Sequence, residues 1–174
     1  MLKPPHKSEY HEFYETYVSK VSKENDVLKY LESQRAELLD LMHNLPSEMH
    51  DYKYAPNKWV IKELLRHIID AESVFAFRAF TISKNTGEEL PGMDQDEYVA
   101  GTDDTQNSFI DLLNEFDLQR QYNIAMIKNL HEGKFNIIGN ANGTPVSVRA
   151  NIFIIAGHTA HHIEVLKERY LTHV

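Results

Sequence analysis

The chain has 174 residues, no cysteine and a formal net charge of −8. Because this length is ordinary for a domain with its own core, we expect residues 1–174 to form one domain. The acidic balance and the lack of a basic cluster exclude the attraction that nucleic acids and anionic membranes require, so we expect neither as a partner. Without cysteine there is no disulfide, thiolate zinc site or cysteine nucleophile, and a bound metal needs His, Asp or Glu ligands.

The N-terminal segment, residues 1–17, lacks the apolar core of a signal peptide. No apolar run elsewhere in the sequence approaches the ~18 residues of a transmembrane helix. We therefore expect a cytoplasmic protein. The sequence leaves its oligomeric state open, a homodimer included.

Long stretches of helical periodicity predict an all-α fold. Apolar residues three or four positions apart predict helices at about 26–44, 58–83, 105–131 and 148–171. Capping residues stand before three of these helices. The expected caps are Asn25 or Asp26 for the first helix, Asp104 or Thr105 for the third, and Ser147 for the last.

Two segments interrupt the helical pattern. Residues 83–104 are rich in acids and have two glycines close to a proline, so we expect no packed element there. In a four-helix bundle, a connection this long is what a crossover between parallel neighbours requires. Residues 135–148 place Asn142-Gly143 between short β-prone runs, which predicts a hairpin that Pro145 restricts to a sheet edge.

Histidines on two predicted helices are the strongest chemical signal. His158 and His162 lie one turn apart on the same face of the last helix, a spacing that lets two imidazoles bind one ion. His67 lies on the inward face of the second helix. Each could instead be a hydrogen-bonded core residue. Together the three predict a three-histidine site with open coordination positions, suited to Zn²⁺ or Ni²⁺.

Carboxylates close to these histidines are candidates for a catalytic role. They could accept ring N–H groups or act as a general base, although each could simply be a solvated helix charge. The three candidates are Glu63, Asp70 and Glu164.

Two arginines, Arg78 and Arg120, face the predicted core. A guanidinium in a core needs a carboxylate partner, and Asp70 and Glu115 are the expected ones. The alternative is that an inward arginine recognises an anion in a cavity.

Motifs along nearly the whole chain are shared with a known family. They are Tyr54-Ala55-Pro56-Asn57-Lys58-Trp59, Glu63, His67, Asp70-Ala71-Glu72, Phe77-Arg78, Leu90-Pro91-Gly92-Met93-Asp94, Glu115-Phe116, Arg120 and Gly157-His158 through His162. Through these motifs the chain resembles the DinB/YfiT-like metal-binding four-helix bundles, which include bacterial thiol-dependent S-transferases. The resemblance implies an up-down-down-up four-helix bundle, which agrees with the long connection at residues 83–104 and leaves the predicted β-hairpin before the last helix.

The resemblance also bears on the site. His67, His158 and His162 match the metal ligands of the family, and His161 matches an additional histidine that is not a ligand. The chain departs from the family where Val60 replaces the usual Ser or Thr of a capping box, while Glu63 is retained. We therefore expect Asn57 to cap the second helix.

Two classes of function remain open. The first is a metal-dependent enzyme acting on a small-molecule substrate, either an S-transferase that uses an external low-molecular-weight thiol or a hydrolase. The second is a non-catalytic metal- or ligand-binding module. The absence of GxGxxG, P-loop, GxSxG and HExxH motifs leaves dinucleotide oxidoreductases, P-loop NTPases, α/β-hydrolases and zincins without support.

Overall fold

The computed structural model describes residues 2–102 and 107–172, and within them it shows a helical bundle with a small sheet. The long helices are α2 (Val27–His43), α3 (Ile61–Ser83), α5 (Phe109–Lys128) and α6 (Val148–Val165). The shorter elements are α1 (Glu15–Val21), α4 (Gln95–Gly101), β1 (Glu89–Leu90), β2 (Ile138–Ala141) and β3 (Thr144–Ser147). The predicted all-α, up-down-down-up bundle is confirmed. No helix of the described residues has the length and apolar character needed to cross a membrane.

Capping side chains mark where the helices begin, because they accept hydrogen bonds from backbone N–H groups that have no partner within the helix. Asp26 accepts hydrogen bonds from the N–H groups of Leu28 and Lys29, and Ser147 accepts one from Ala150, so both predicted caps are confirmed.

The start of α3 differs from our expectation. The helix begins at Ile61 rather than at 58, and Asn57, with φ of 62°, stands outside it. Val60 has no capping group, but its N–H donates to the Glu63 carboxylate at 2.8 Å. Glu63 thus preserves half of the capping box.

The third long helix is shorter than predicted. Its proposed caps, Asp104 and Thr105, lie outside the described residues. Ser108 caps α5 instead, because its hydroxyl accepts from the Asp111 N–H while Asp111 accepts from the Ser108 N–H. At the other end of the chain, α6 continues into a π-helical turn at Leu166–Tyr170.

The prediction that residues 83–104 hold no packed element is wrong. β1 pairs in parallel with β2, where Glu89 lies opposite Asn140, and α4 follows with Asp94 as its cap. A two-residue strand is too short to show a periodic pattern. The helix α1, which we did not predict, packs along α6.

The predicted hairpin is confirmed. Asn142 and Gly143 form its turn with φ of 55° and 71°, the left-handed values that a tight hairpin needs. The strand order β1-β2-β3 puts Pro145 on an edge strand.

A buried ion pair joins the long helices. The Arg120 side chain on α5 has no exposed surface, and its Nε and Nη2 donate to Glu72 on α3 at 2.8 and 2.7 Å. Its Nη1 donates to Gln34 on α2 and its Nη2 to Thr159 on α6, both at 2.9 Å. One guanidinium therefore bridges α2, α3, α5 and α6.

The expected partners of Arg120 were wrong. The carboxylate of Glu115 accepts from Arg66 at 3.0 and 2.9 Å, and Asp70 lies 3.7 Å from the same guanidinium. Glu72, which we had not assigned, is the internal acid instead.

We predict that replacing Arg120 by Met lowers the free energy of unfolding by about 3–5 kcal/mol, because Glu72 is left as an uncompensated buried charge. Urea titration followed by circular dichroism measures the change. Lys128→Met is a matched control on the same helix, because the exposed Lys128–Glu32 pair contributes only a small fraction of that energy. An Arg120→Met variant as stable as the control would contradict the prediction.

Candidate metal centre

Two facing helices bring the predicted histidines together. His67 lies on α3, and His158 and His162 lie on α6, the helix pair with the most extensive packing. All three side chains are buried. The helical spacing that puts His158 and His162 on one face of α6 directs both rings toward α3.

The ring nitrogens of the triad converge. The Nε2 atom of His158 lies 2.9 Å from that of His67 and 3.1 Å from that of His162. Three nitrogens bound tetrahedrally to one ion at 2.0–2.1 Å would lie about 3.3 Å apart. The spacing therefore fits a shared divalent ion.

Hydrogen bonds among the three rings explain their close approach less well than a shared ion does. In a neutral imidazole, Nε2 carries either one proton or one lone pair. The single Nε2 of His158 cannot serve two close neighbours fully, whereas one ion would satisfy all three nitrogens at once. These three residues could hold a metal ion.

Burial keeps the triad uncharged. It lowers the pKa of His67 to about 4, with a smaller contribution from His161. Burial also lowers the pKa of His158 and of His162 well below the usual range, and the neighbouring imidazoles act in the same direction. Neutral imidazole is the form that binds metals.

Aromatic side chains orient the rings. The Trp59 ring centroid lies 4.7 Å from that of His67, and the Tyr17 ring meets His158 edge-on at 5.2 Å. Within the described residues, Nδ1 of His67 and Nδ1 of His162 have no hydrogen-bond partner. No carboxylate therefore orients these two rings, and His67 is held by packing against Trp59.

Gly157 allows the backbone of Tyr17 to lie directly against α6, next to His158. A Cβ atom at this position would lie 2.0 Å from the carbonyl oxygen of Tyr17, which no real structure tolerates. Glycine lets α1 approach the backbone of α6 one residue before His158.

Each of the three proposed catalytic carboxylates has a partner outside the triad. Glu63 is bound to the Val60 N–H, Asp70 lies near Arg66, and Glu164 pairs with Lys20. Their role as acceptor or base stays a prediction. Sequence reasoning missed Glu72 as the buried acid of α3, although an inward Arg120 was a signal that one must exist.

His161 stands apart from the other three. Its ring centroid lies 5.0 Å from that of His162, but the side chain lines a separate cavity next to the N-terminal segment.

A cavity of about 320 Å³ opens beside the triad. His67 and His158 form part of its wall, and the rest comes from α1 and the residues just before it, from α3, from the segment after β1 and from the hairpin turn. Its other lining side chains include Phe13, Tyr14, Tyr17, Phe75, Arg78, Met93, Asp94, Asp96 and Asn142. A small molecule in this cavity would reach the imidazoles.

Comparison with solved structures reveals the same fold in bacterial proteins. YfiT from Bacillus subtilis, described as a probable metal-dependent hydrolase with an unusual four-helix bundle topology, superposes with a TM-score of 0.71 at 16% identity, over 94% of this chain and 89% of YfiT. The DinB-like protein YjoA, also from Bacillus subtilis, superposes with a TM-score of 0.60 at 21% identity, over 82% of this chain and 87% of YjoA.

No curated protein sequence matches this chain. The family model of the DinB superfamily, however, matches residues 30–166, a span that contains His67, His158 and His162. Because this match covers most of the sequence, the chain belongs to the DinB superfamily.

Proposed function

We propose that this protein is a metal-dependent enzyme whose divalent ion is held by His67, His158 and His162. The observation that carries the proposal is the convergence of three buried Nε2 atoms, with His67 and His158 at the wall of a cavity. The all-nitrogen donor set suits Zn²⁺ or Ni²⁺. A bound ion would supply Lewis acidity that lowers the pKa of a coordinated nucleophile.

We infer that the nucleophile is the thiol of a small cosubstrate, and the reaction an S-transfer. The chain has no cysteine, so the sulfur must come from outside. Of the three carboxylates that could act as a base on water, Glu63 and Glu164 are bound to other groups and Asp70 lies 3.7 Å from Arg66. A thiol, with a pKa of about 8.5, needs far less help than water, with one of about 15.7.

In the proposed transfer, a C–S bond forms as the leaving group departs from the electrophile, and the thiol proton passes to solvent. The residues of this chain have three tasks. The imidazoles stay neutral, Trp59 and Tyr17 pack against the rings of His67 and His158, and the aromatic side chains of the cavity wall contact the substrate.

Metal-dependent hydrolysis is the second candidate, because YfiT is described as a probable metal-dependent hydrolase. In that reaction, the ion would lower the pKa of its bound water, and one of the three carboxylates proposed from the sequence would act as general base.

We predict about one divalent ion per chain, with most of it lost in His67→Ala, His158→Ala or His162→Ala, because each variant removes one of three ligands. His161→Ala is the matched control and should keep its metal. Elemental analysis after dialysis measures occupancy. A His67→Ala variant that retains stoichiometric metal would contradict the ligand assignment.

We predict that the metal-free protein loses stability as the pH falls from about 6.5 to about 4. Unfolded imidazoles bind protons near 6.5, whereas His67 in the folded protein binds one only near 4, so acid favours the unfolded state. Free energies of unfolding at several pH values measure the slope.

In this pH series, His67→Ala should show a smaller slope, whatever its absolute stability. The variant His131→Ala, at an exposed histidine, should keep the slope of the parent protein. A parent protein with pH-independent stability over this range would refute the prediction.

We predict that the metal-loaded protein joins a small thiol to an electrophile and consumes both in equal amounts, and that His158→Ala abolishes this activity. Mass spectrometry of adducts, next to ester and amide hydrolysis in thiol-free buffer, separates the candidates. Hydrolysis without adduct formation would favour the second candidate. No turnover across a broad panel would favour the non-catalytic module.

A further inference from the structure

The cavity beside the triad contains a buried guanidinium. Arg78 is 4% exposed and lines this cavity. Its Nη2 donates to the Pro91 carbonyl oxygen at 2.7 Å, and its Cζ lies 5.4 Å from the centroid of the Phe75 ring. Among the described residues, Nε of Arg78 has no hydrogen-bond partner, and no carboxylate forms an ion pair with this side chain.

The buried positive charge of Arg78 therefore has no ion-pair partner among the described residues, and its N–H donors are only partly hydrogen-bonded. Burying a charge without a counter-ion is costly, and Arg120 in the same protein shows the usual solution, a buried carboxylate. Arginine has five N–H donors in a planar fork, and one backbone carbonyl satisfies only a part of them. The remaining donors match the two oxygens of a carboxylate.

The guanidinium and His158 are both neighbours of the Phe75 ring and both line the same cavity. The Phe75 ring, which Arg78 contacts, has its centroid 6.3 Å from that of His158. A ligand that reaches the imidazoles through this cavity therefore has Arg78 within reach of its other end. The cavity, of about 320 Å³, is of a size that takes a small molecule.

Two acids in the same wall limit the charge of the ligand. Asp94 and Asp96 line the cavity, and the carboxylate of Asp94 is occupied as the cap of α4. One positive charge beside two negative ones accepts a monoanion more readily than a dianion such as phosphate.

We propose that Arg78 binds a carboxylate of the thiol substrate, so that the substrate spans the cavity with its sulfur at the triad and its carboxylate at the guanidinium. This inference rests on the proposed function for the position of the sulfur. It adds the substrate class, a thiol carboxylic acid, and a specificity-determining residue.

Matched thiols test the proposal. Calorimetric titration of the metal-loaded protein compares 3-mercaptopropionate and 6-mercaptohexanoate with the neutral 3-mercaptopropanol and 6-mercaptohexanol. At one or both lengths, we expect the carboxylate to bind about tenfold more tightly than the alcohol, the effect of one good charged hydrogen-bond pair.

Variants assign the preference to one side chain. Arg78→Gln should abolish the preference without changing the affinity for the alcohols or the metal content, and Arg78→Lys should retain part of it. Arg169→Gln, which removes an exposed charge outside the cavity lining, is the matched control and should keep the full preference.

A surface variant avoids any folding defect of Arg78 substitutions. Asp96→Asn removes an exposed negative charge from the cavity wall and should tighten binding of the carboxylates alone.

The outcomes are distinguishable. Equal binding of charged and neutral thiols to the metal-loaded parent would overturn the role of Arg78 and leave the metal site intact. A preference that persists in Arg78→Gln would do the same. Failure of every thiol to bind, or absence of metal, would overturn the proposed function and this inference together.

Discussion

The guanidinium of Arg120 is the constraint on which the arrangement of the helices depends. It is fully buried, and its partners come from three other helices, Glu72 on α3, Gln34 on α2 and Thr159 on α6. A shift of any of these helices would break a hydrogen bond to a buried charge, and such a bond contributes about 1.5–3 kcal/mol. Thr159 directly follows His158, so the same bonds hold α6 at the separation from α3 that brings the imidazoles together.

The triad places three polar rings in the core. Among the described residues, no carboxylate accepts a hydrogen bond from Nδ1 of His67 or of His162. Burial keeps the imidazoles neutral, and the aromatic rings of Trp59 and Tyr17 pack against those of His67 and His158. The close approach of α1 at Gly157 supplies one of these rings. An unpredicted short helix thus contributes both to packing and to the wall of the candidate site.

Arg78 and Arg120 show that burial alone does not determine the role of an arginine. Both are almost fully buried, but Arg120 meets a carboxylate and two polar side chains, while Arg78 meets a carbonyl oxygen and a phenyl ring. Arg120 is the centre of a buried hydrogen-bond network. Arg78 faces a cavity, next to the residues that follow β1, which pairs with β2 in the sheet. The crossover that gives the bundle its topology therefore also lines the candidate site.

The sequence by itself determined the long helices, the hairpin at Asn142-Gly143 and the inward faces of the histidines, because periodicity, caps and turn residues are local properties. It did not reveal that Arg120 pairs with Glu72, that β1 joins β2, or that the proposed catalytic carboxylates bind other groups. Helical spacing decides which face of a helix carries a side chain. Which residue it meets on a neighbouring helix depends on how the helices rotate and slide when they pack, and only the tertiary structure decided that.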